Sequence, residues 1–524
     1  MMGAFWPIPP HLPLFIKLSK TWRGQANRAV RAWLCPAAPL DISHARPYLG
    51  RMIQFEHTFA RDVPLGVLEQ TPEAAPAPAL VVLNDGLAQD LGLVPEILRA
   101  DGAAWFSGAA CPATAIPRAM AYAGHQFGGF SPVLGDGRAH LLGEIITPQG
   151  ARFDLHLKGS GRTAFSRGGD GRAHLAPMLR EYLISEFMAA VHIPTTRALA
   201  VVTTGTQVLR DNALRQGAVL ARIAASHIRV GTFEYFVNRG DIGSLRALMA
   251  HTLARHYPSA PRTAFGLLDA VIAAQAQLIA QWMGAGFVHG VMNTDNMALS
   301  GETIDYGPCA FLDGYDEGAV FSSIDHSGRY AFAMQPRILA WNISRLAQAL
   351  LPLMPGDEAA AVDAANARLD GIAGIYRHAW RGVFGRKLGL EGPNPADDDL
   401  IEGFLSLIQG ADFTQCFRAL QAAKTDAARL LSLMVLDKRS AAGAWLAQWR
   451  ARVGDGDLRL QNPAIIPRNH LVQSALDAAE AGDMAPFHAL LAHLQTPFAS
   501  AKTREAYALG PPAGFGRYTT YCGT

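Results

Sequence analysis

The sequence predicts an α+β chain of two lobes: a mixed β/α N-terminal lobe and a mainly helical C-terminal lobe that ends in a helical extension. Three observations carry this. Residues 132–161 hold two strand-like runs, LGDGRAHLLGEII and ARFDLHLKG, on either side of the turn TPQG, which is the pattern of a β-hairpin. From about residue 244 onward, apolar positions recur at helical spacing, and residues 355–498 read as alternating helices and short polar joints. Within this second half the stretch GFVHGVMNTDNMALSGETIDYGP, residues 286–308, sets Asp295, Asn296 and Asp305 among small apolar residues.

A chain of 524 residues accommodates about two to four domains. The division expected is an extension at 1–50, an N-lobe at 51–205 and a C-lobe at 206–524 that holds the 286–308 loop and a tail from about residue 515. Charged residues make up 17% of the chain, below the usual ~25%, as in a compact globular protein. The net charge of +2 argues against a protein that coats nucleic acid, though it allows a local phosphate pocket. Five cysteines without metal-ligand spacing argue against a disulfide framework or a zinc site. No apolar run approaches the ~18 residues of a membrane span. The expectation is a cytoplasmic monomer with no nucleic-acid or membrane partner.

Taken in order, residues 1–40 carry five Lys or Arg and no acid, with prolines at Pro7, Pro9, Pro10 and Pro13 that spoil an amphipathic helix. This reads as an extension outside the fold, or as an early start with Met52 the true one. LVVLNDGLAQDLGL at 80–93 reads as strand, turn and helix. In the second hairpin strand, alternation sets Phe153, Leu155 and Leu157 on one face and Asp154, His156 and Lys158 on the other. Lys158 thus ends a strand on its polar side. The heptapeptide GDGRAHL stands on both sides of Lys158, at 135–141 and 169–175. Each copy offers glycine amides and an arginine, Arg138 or Arg172, as an anion-binding concavity requires. The second copy leads into APMLREYLISEFMAAV, a helix that tolerates Pro177 only in its first turn and ends before Pro194. Helical phase does not decide whether Glu181 or Glu186 faces inward. An inward glutamate needs a cation partner, for which Lys158 is the candidate. Arg222 and Arg229, seven apart, share a face of a helix but not of a strand. Helices follow from a cap at Ser244 and over about 263–283.

The 286–308 loop offers oxygen ligands of the kind a hard cation such as Mg²⁺ takes, leaving phosphates to complete the shell. His289, Asn296 and the triplet Asp305-Tyr306-Gly307 follow the order of the protein-kinase H-R-D-x-x-x-x-N loop and D-F-G turn. One departure stands out. The position of the kinase proton acceptor is held by Val291, and the only carboxylate between His289 and Asn296 is Asp295.

Together GHQFGGFSPVLGDGR, DLHLKGSGRTAFSRGGDGRAHL, REYL, IPTTRAL, SHIRVGTFEYF, HGVMNTDN and IDYGPCAFLD resemble the selenoprotein O family, the kinase-fold protein adenylyltransferases. The resemblance runs from about Phe55 to the end, where YCGT matches a family position occupied by selenocysteine or cysteine. It implies a bilobal protein-kinase-like fold and ATP bound end for end, so that AMP passes to Ser, Thr or Tyr hydroxyls of proteins with release of pyrophosphate. It further implies that Gly135, Gly137, Arg138, Lys158, Asp170, Gly171, Arg222 and Arg229 hold the nucleotide and that Glu181 pairs with Lys158. Asn296 and Asp305 would hold Mg²⁺, or Mn²⁺ in its place, and Asp295 would accept the proton. Two alternatives share the skeleton: a conventional kinase-type phosphotransferase, against which Val291 speaks, and a nucleotide-binding pseudokinase acting by interaction. Cys309, four residues past Asp305, and Cys522 on the tail suggest a regulatory disulfide.

Overall fold

A computed structural model describes residues 53–499 and 504–521. The expected extension at 1–50, the alternative start at Met52 and the tail cysteine Cys522 lie outside the described residues. The chain is mixed α+β, with an antiparallel sheet in its N-terminal part and helices in its C-terminal part.

The sheet runs in the order β1 (Val67–Glu69), β3 (Arg118–Met120), β6 (Ala139–Ile146), β7 (Arg152–Lys158), β10 (Ala213–Ala224), β9 (Arg197–Arg210) and β2 (Ala79–Leu83), with β8 (Ala173–His174) also on β10. The predicted hairpin is β6–β7, turning through residues 147–150. Two small ribbons stand apart, β4 (Gly124–Gln126) with β5 (Gly129–Ser131) and β11 (Phe287–Val288) with β12 (Ala310–Phe311). The division expected at 205/206 falls inside β9, and the sheet continues through β10 to Ala224.

Alternation along β7 holds, but neither face is open. Leu155 and Leu157 join a core with Leu98, Trp105 and Phe106 of the helix Pro95–Ser107. Asp154, His156 and Lys158 are buried as well. Strands covered on both sides must bring partners for such groups. The cover is the predicted helix, Leu175–Ala190, here α1, whose Met178, Leu179, Tyr182, Leu183 and Phe187 are sealed in the main core. Each such side chain contributes about 1.5–3 kcal/mol on burial. Pro177 sits in its first turn, where its missing N–H has no partner to lose.

Arg222 and Arg229 share neither a helix nor a strand: Arg222 is on β10 and Arg229 is the N-cap of α2 (Val230–Asn238). The next helix, α3 (Ile242–His256), is capped by Asp241, which accepts from the Ser244 N–H, so the cap expected at Ser244 lies two residues inside it. Thr263 caps α4 (Ala264–Ala285) as the spacing predicts. By length and composition this helix is apolar enough to cross a membrane, contrary to the expectation of no such run. Its most apolar window is 61% buried against the fold, packed on α5 (Gln335–Leu350) and α6 (Glu358–Leu388). From α4 the chain enters β11 and the 286–308 loop, which therefore springs from the centre of the helical part.

Candidate active site

Lys158 brings the sheet, α1 and the loop together. Its ammonium donates to Glu181 Oε1 and, at 2.7 Å, to Asp305 Oδ1. On β10, Arg222 pairs across from His156 and sets Nη1 3.6 Å from Glu181 Oε2. Glu186, equally buried, is held by a two-pronged pair with Arg197 at 2.7 Å on each arm. Both glutamates face inward with a cation each, which is why apolar phase alone left the choice open. Burial opposes ionisation of Asp305, yet Lys158, Arg138 and Arg222 hold its carboxyl well below the usual range. Its backbone is left-handed, with φ 69°.

Asp295 sits on the single turn Thr294–Asn296 under the β4–β5 hairpin. Gln126 Nε2 donates to its Oδ2 at 3.3 Å, and Oδ1 is buried without a hydrogen-bond partner among the described residues. Arg229 donates to its main-chain carbonyl at 2.7 Å. Burial, opposed by Arg229, pushes this carboxyl up to about 6. A carboxyl balanced near neutrality is what proton acceptance in a cleft requires. The hairpin lies so close that a Cβ on Gly124 would come 2.5 Å from Oδ1. His125 N–H donates to Thr294 Oγ1, its ring meets Glu234 Oε1, and Thr294 bonds Glu234 Oε2, so the hairpin and the turn are tied together.

Asn296 donates through Nδ2 to Val291 O at 3.0 Å, which turns its Oδ1 away from Val291. Among the described residues no group of three or more His, Cys, Asp or Glu side chains forms a metal cage. The amide oxygen of Asn296 and the ionised Asp305 fit a hard cation that takes its other ligands from phosphate and water. His289 is buried, stacked on Trp282 at 5.2 Å, with Nε2 2.9 Å from Ile304 O; it holds the loop's shape.

The two glycine-rich turns part company here. The first lies beside the cluster: Gly135 and Gly137 pack on Phe165, and Asp136 between them, 2% exposed, accepts from Met120 N–H and contacts His156 Nε2 at 3.0 Å. In the second, Asp170 is tied to Arg210 at 2.8 Å, and Gly171 presses on the backbone of Gly161 and Arg162 just past Lys158. The Asp170 carboxylate is thus held by Arg210 and by the Arg172 N–H. Sequence reasoning passed over Asp136, His156 and Gln126. The first two had a signal in the GDGR turn and in the face His156 shares with Lys158, whereas Gln126 had none beyond its place in GHQFGGF. Cys309 is fully buried, its thiol pushed up to about 12 by burial. Thr520, two residues before Cys522, donates to Pro308 O at 2.6 Å, and Tyr518 meets Arg180, which also holds the carbonyls of Gly307 and Cys309.

Comparison with known proteins bears on the same residues. The family model described as protein adenylyltransferase SelO matches residues 53–495. The chain is similar to the protein nucleotidyltransferase YdiU of Cereibacter sphaeroides, 52% identical over 480 residues that cover 90% of this chain and 99% of that protein. The YdiU proteins of Rhizobium johnstonii and Pseudarthrobacter chlorophenolicus are each 50% identical, over 91% and 89% of this chain and 98% and 97% of their own lengths. A match over more than four-fifths of the chain, with each of the expected site residues inside it, means that this chain belongs to the SelO family of protein adenylyltransferases.

Proposed function

We propose that the chain adenylylates proteins: it binds ATP in a kinase-like cleft with the α-phosphate toward Asp295, passes AMP to a Ser, Thr or Tyr hydroxyl and releases pyrophosphate. In this reading the N-lobe is the sheet through β10 and the C-lobe begins at α2. The observation that carries it is the separation of roles between two carboxylates. Asp305 is locked ionised by Lys158, while Asp295, burdened by burial, titrates near pH 6 with one oxygen unpartnered among the described residues.

The chemistry follows from positions and charges. Lys158, Arg222, Arg229 and Arg138 supply the positive field that a polyphosphate requires, and transfer at phosphorus depends on such positioning and neutralisation more than on covalent catalysis. Asp295 removes the proton as the hydroxyl oxygen attacks the α-phosphorus, and the bond to the pyrophosphate oxygen breaks. Gln126 fixes the carboxylate through Oδ2, and Oδ1, buried beside Gly124, has no hydrogen-bond partner among the described residues. A divalent cation held by Asn296 and Asp305 would neutralise charge on the leaving pyrophosphate. Val291, buried in the place of the kinase base, cannot accept a proton.

ATP labelled on the α- or the γ-phosphate tests this directly. Protein-bound label is expected from the α position alone; label from γ alone would make the chain a phosphotransferase. The rate should rise with pH through about 6 and then level, because Asp295 acts only when ionised. Asp295→Asn should lower kcat by about 10²–10⁴-fold and remove that limb.

A further inference from the structure

Beyond Asp295 lies a basic and aromatic surface that AMP transfer itself does not use. On α5 the partly exposed residues Arg337, Trp341 and Arg345 recur at every fourth position, one stripe of the helix about 12 Å long. Arg329, from the loop before α5, lies over the Trp341 ring at 4.6 Å, and Arg345 lies over the same ring at 5.3 Å. Trp341 meets the edge of His125 at 5.3 Å, and the residue after His125 is Gln126, which holds Asp295. The middle of the stripe is thus joined to the Asp295 site through two consecutive residues of β4.

The charges on this surface are not matched from within. Arg337 contacts the Met334 sulfur and Arg345 donates to Ser344 and Gln348, while Arg329 Nε and Nη2, beneath the surface, have no hydrogen-bond partner among the described residues. The carboxylate whose field reaches Arg345 is Glu234, already held by His125 and Thr294. On α6, by contrast, Arg377 and Arg381 both close ion pairs with Asp398. Beside the stripe the β4–β5 hairpin exposes Phe127 and Phe130, 36% and 37% open, with Phe127 resting on Tyr330 and Phe130 on His125.

We infer that this surface docks the acceptor protein through an acidic segment. The inference rests on Asp295 being the acceptor-side base. The hydroxyl residue lies at Asp295, an apolar neighbour covers Phe127 and Phe130, and Asp or Glu spaced about three or four residues apart in extended chain pair with Arg345 and Arg337. Two arginines in one helical row, on either side of an indole and on a chain of net charge +2, suit a short acidic peptide better than the long phosphate track of a nucleic acid.

The test uses the full chain with fluorescein-labelled nonapeptides holding one central Tyr flanked by Glu, Ala or Lys. Binding is read by anisotropy, and AMP transfer from α-labelled ATP in parallel. The Glu-flanked peptide should bind, and show a KM, at least tenfold better than the Ala-flanked one. The variants R337E and R337Q/R345Q should bring that preference within twofold of unity, R337K should keep it, and all should leave KM for ATP within twofold. Equal binding of the three peptides, or a Glu preference that survives R337E and R337Q/R345Q, would overturn the docking surface. So would displacement of the peptide by an oligonucleotide of equal charge at equal concentration. If no peptide or protein accepts AMP, the reading of Asp295 falls instead, and the anisotropy series alone decides whether the stripe selects acidic segments.

Discussion

In the first GDGRAHL, residues 135–141, the loop turns at Gly135 with φ 63° and feeds β6; in the second, residues 169–175, it turns at Gly171 with φ 68° and passes through β8 into α1. The aspartate and the arginine of the two copies meet opposite fates. Asp136 is sealed among Met120 N–H, His156 and Arg229, while Asp170 is 39% exposed and paired with Arg210. Arg138 acts on Asp305, while Arg172 reaches outward to Glu73. Identical local sequence did not decide the conformation; the neighbours did. Phe165 closes over Gly135, and the Gly161–Arg162 backbone closes over Gly171. One copy became part of the charged interior and the other a brace behind the end of β7.

The largest test of this division is removal of the two aspartates. Asp136→Ala leaves His156, Arg229 and a buried amide uncompensated and should cost about 3–5 kcal/mol in urea unfolding. Asp170→Ala should cost about 1 kcal/mol, since the carboxylate itself is 39% exposed. If both variants unfold at the same urea concentration, the contrast is wrong. Next come the arginines. Arg138→Ala should weaken ATP binding by about tenfold or more, the loss of one charge-assisted contact. Arg172→Ala should change it by less than about threefold, read by titration calorimetry with Mg-ATP. In one effect, confined to acid pH, the copies agree. Burial pushes His140 and His174 both down to about 4. Each is neutral in the fold but protonates below about 6.5 in the unfolded chain, so stability is full above pH 6.5 and falls as pH drops toward 4. His140→Gln and His174→Gln should each flatten that fall, measured as urea midpoints at pH 4.5, 5.5 and 7.

Much of this was readable before any coordinates. The hairpin around TPQG, the helix from Leu175, the Thr263 cap and the order of Asn296 and Asp305 rest on turn chemistry and apolar period, which act locally. Helical phase could not choose between Glu181 and Glu186, because both are buried and each found its own cation through tertiary contacts; only the family resemblance pointed to Glu181. Arg222 and Arg229 defeated any single-element reading, since a strand and a helix cap bring them to the same cluster. Ser244 looked like a cap because Ser favours caps, but Asp241 stood three residues earlier and its carboxylate reached the free amide first. The hairpin over Asp295 was invisible for a different reason: three-residue strands have too few positions to show a period.

The left-handed backbone of Asp305 bears on how a substrate-trapping form of this protein should be made. Most residues resist φ 69°, whereas Asn tolerates that region well. Asp305→Ala would delete the carboxylate and add backbone tension to the loop that also carries Cys309. Asp305→Asn removes the charge alone and keeps the shape. It is the variant with which to hold ATP and an acceptor protein on the enzyme long enough to identify that acceptor by crosslinking.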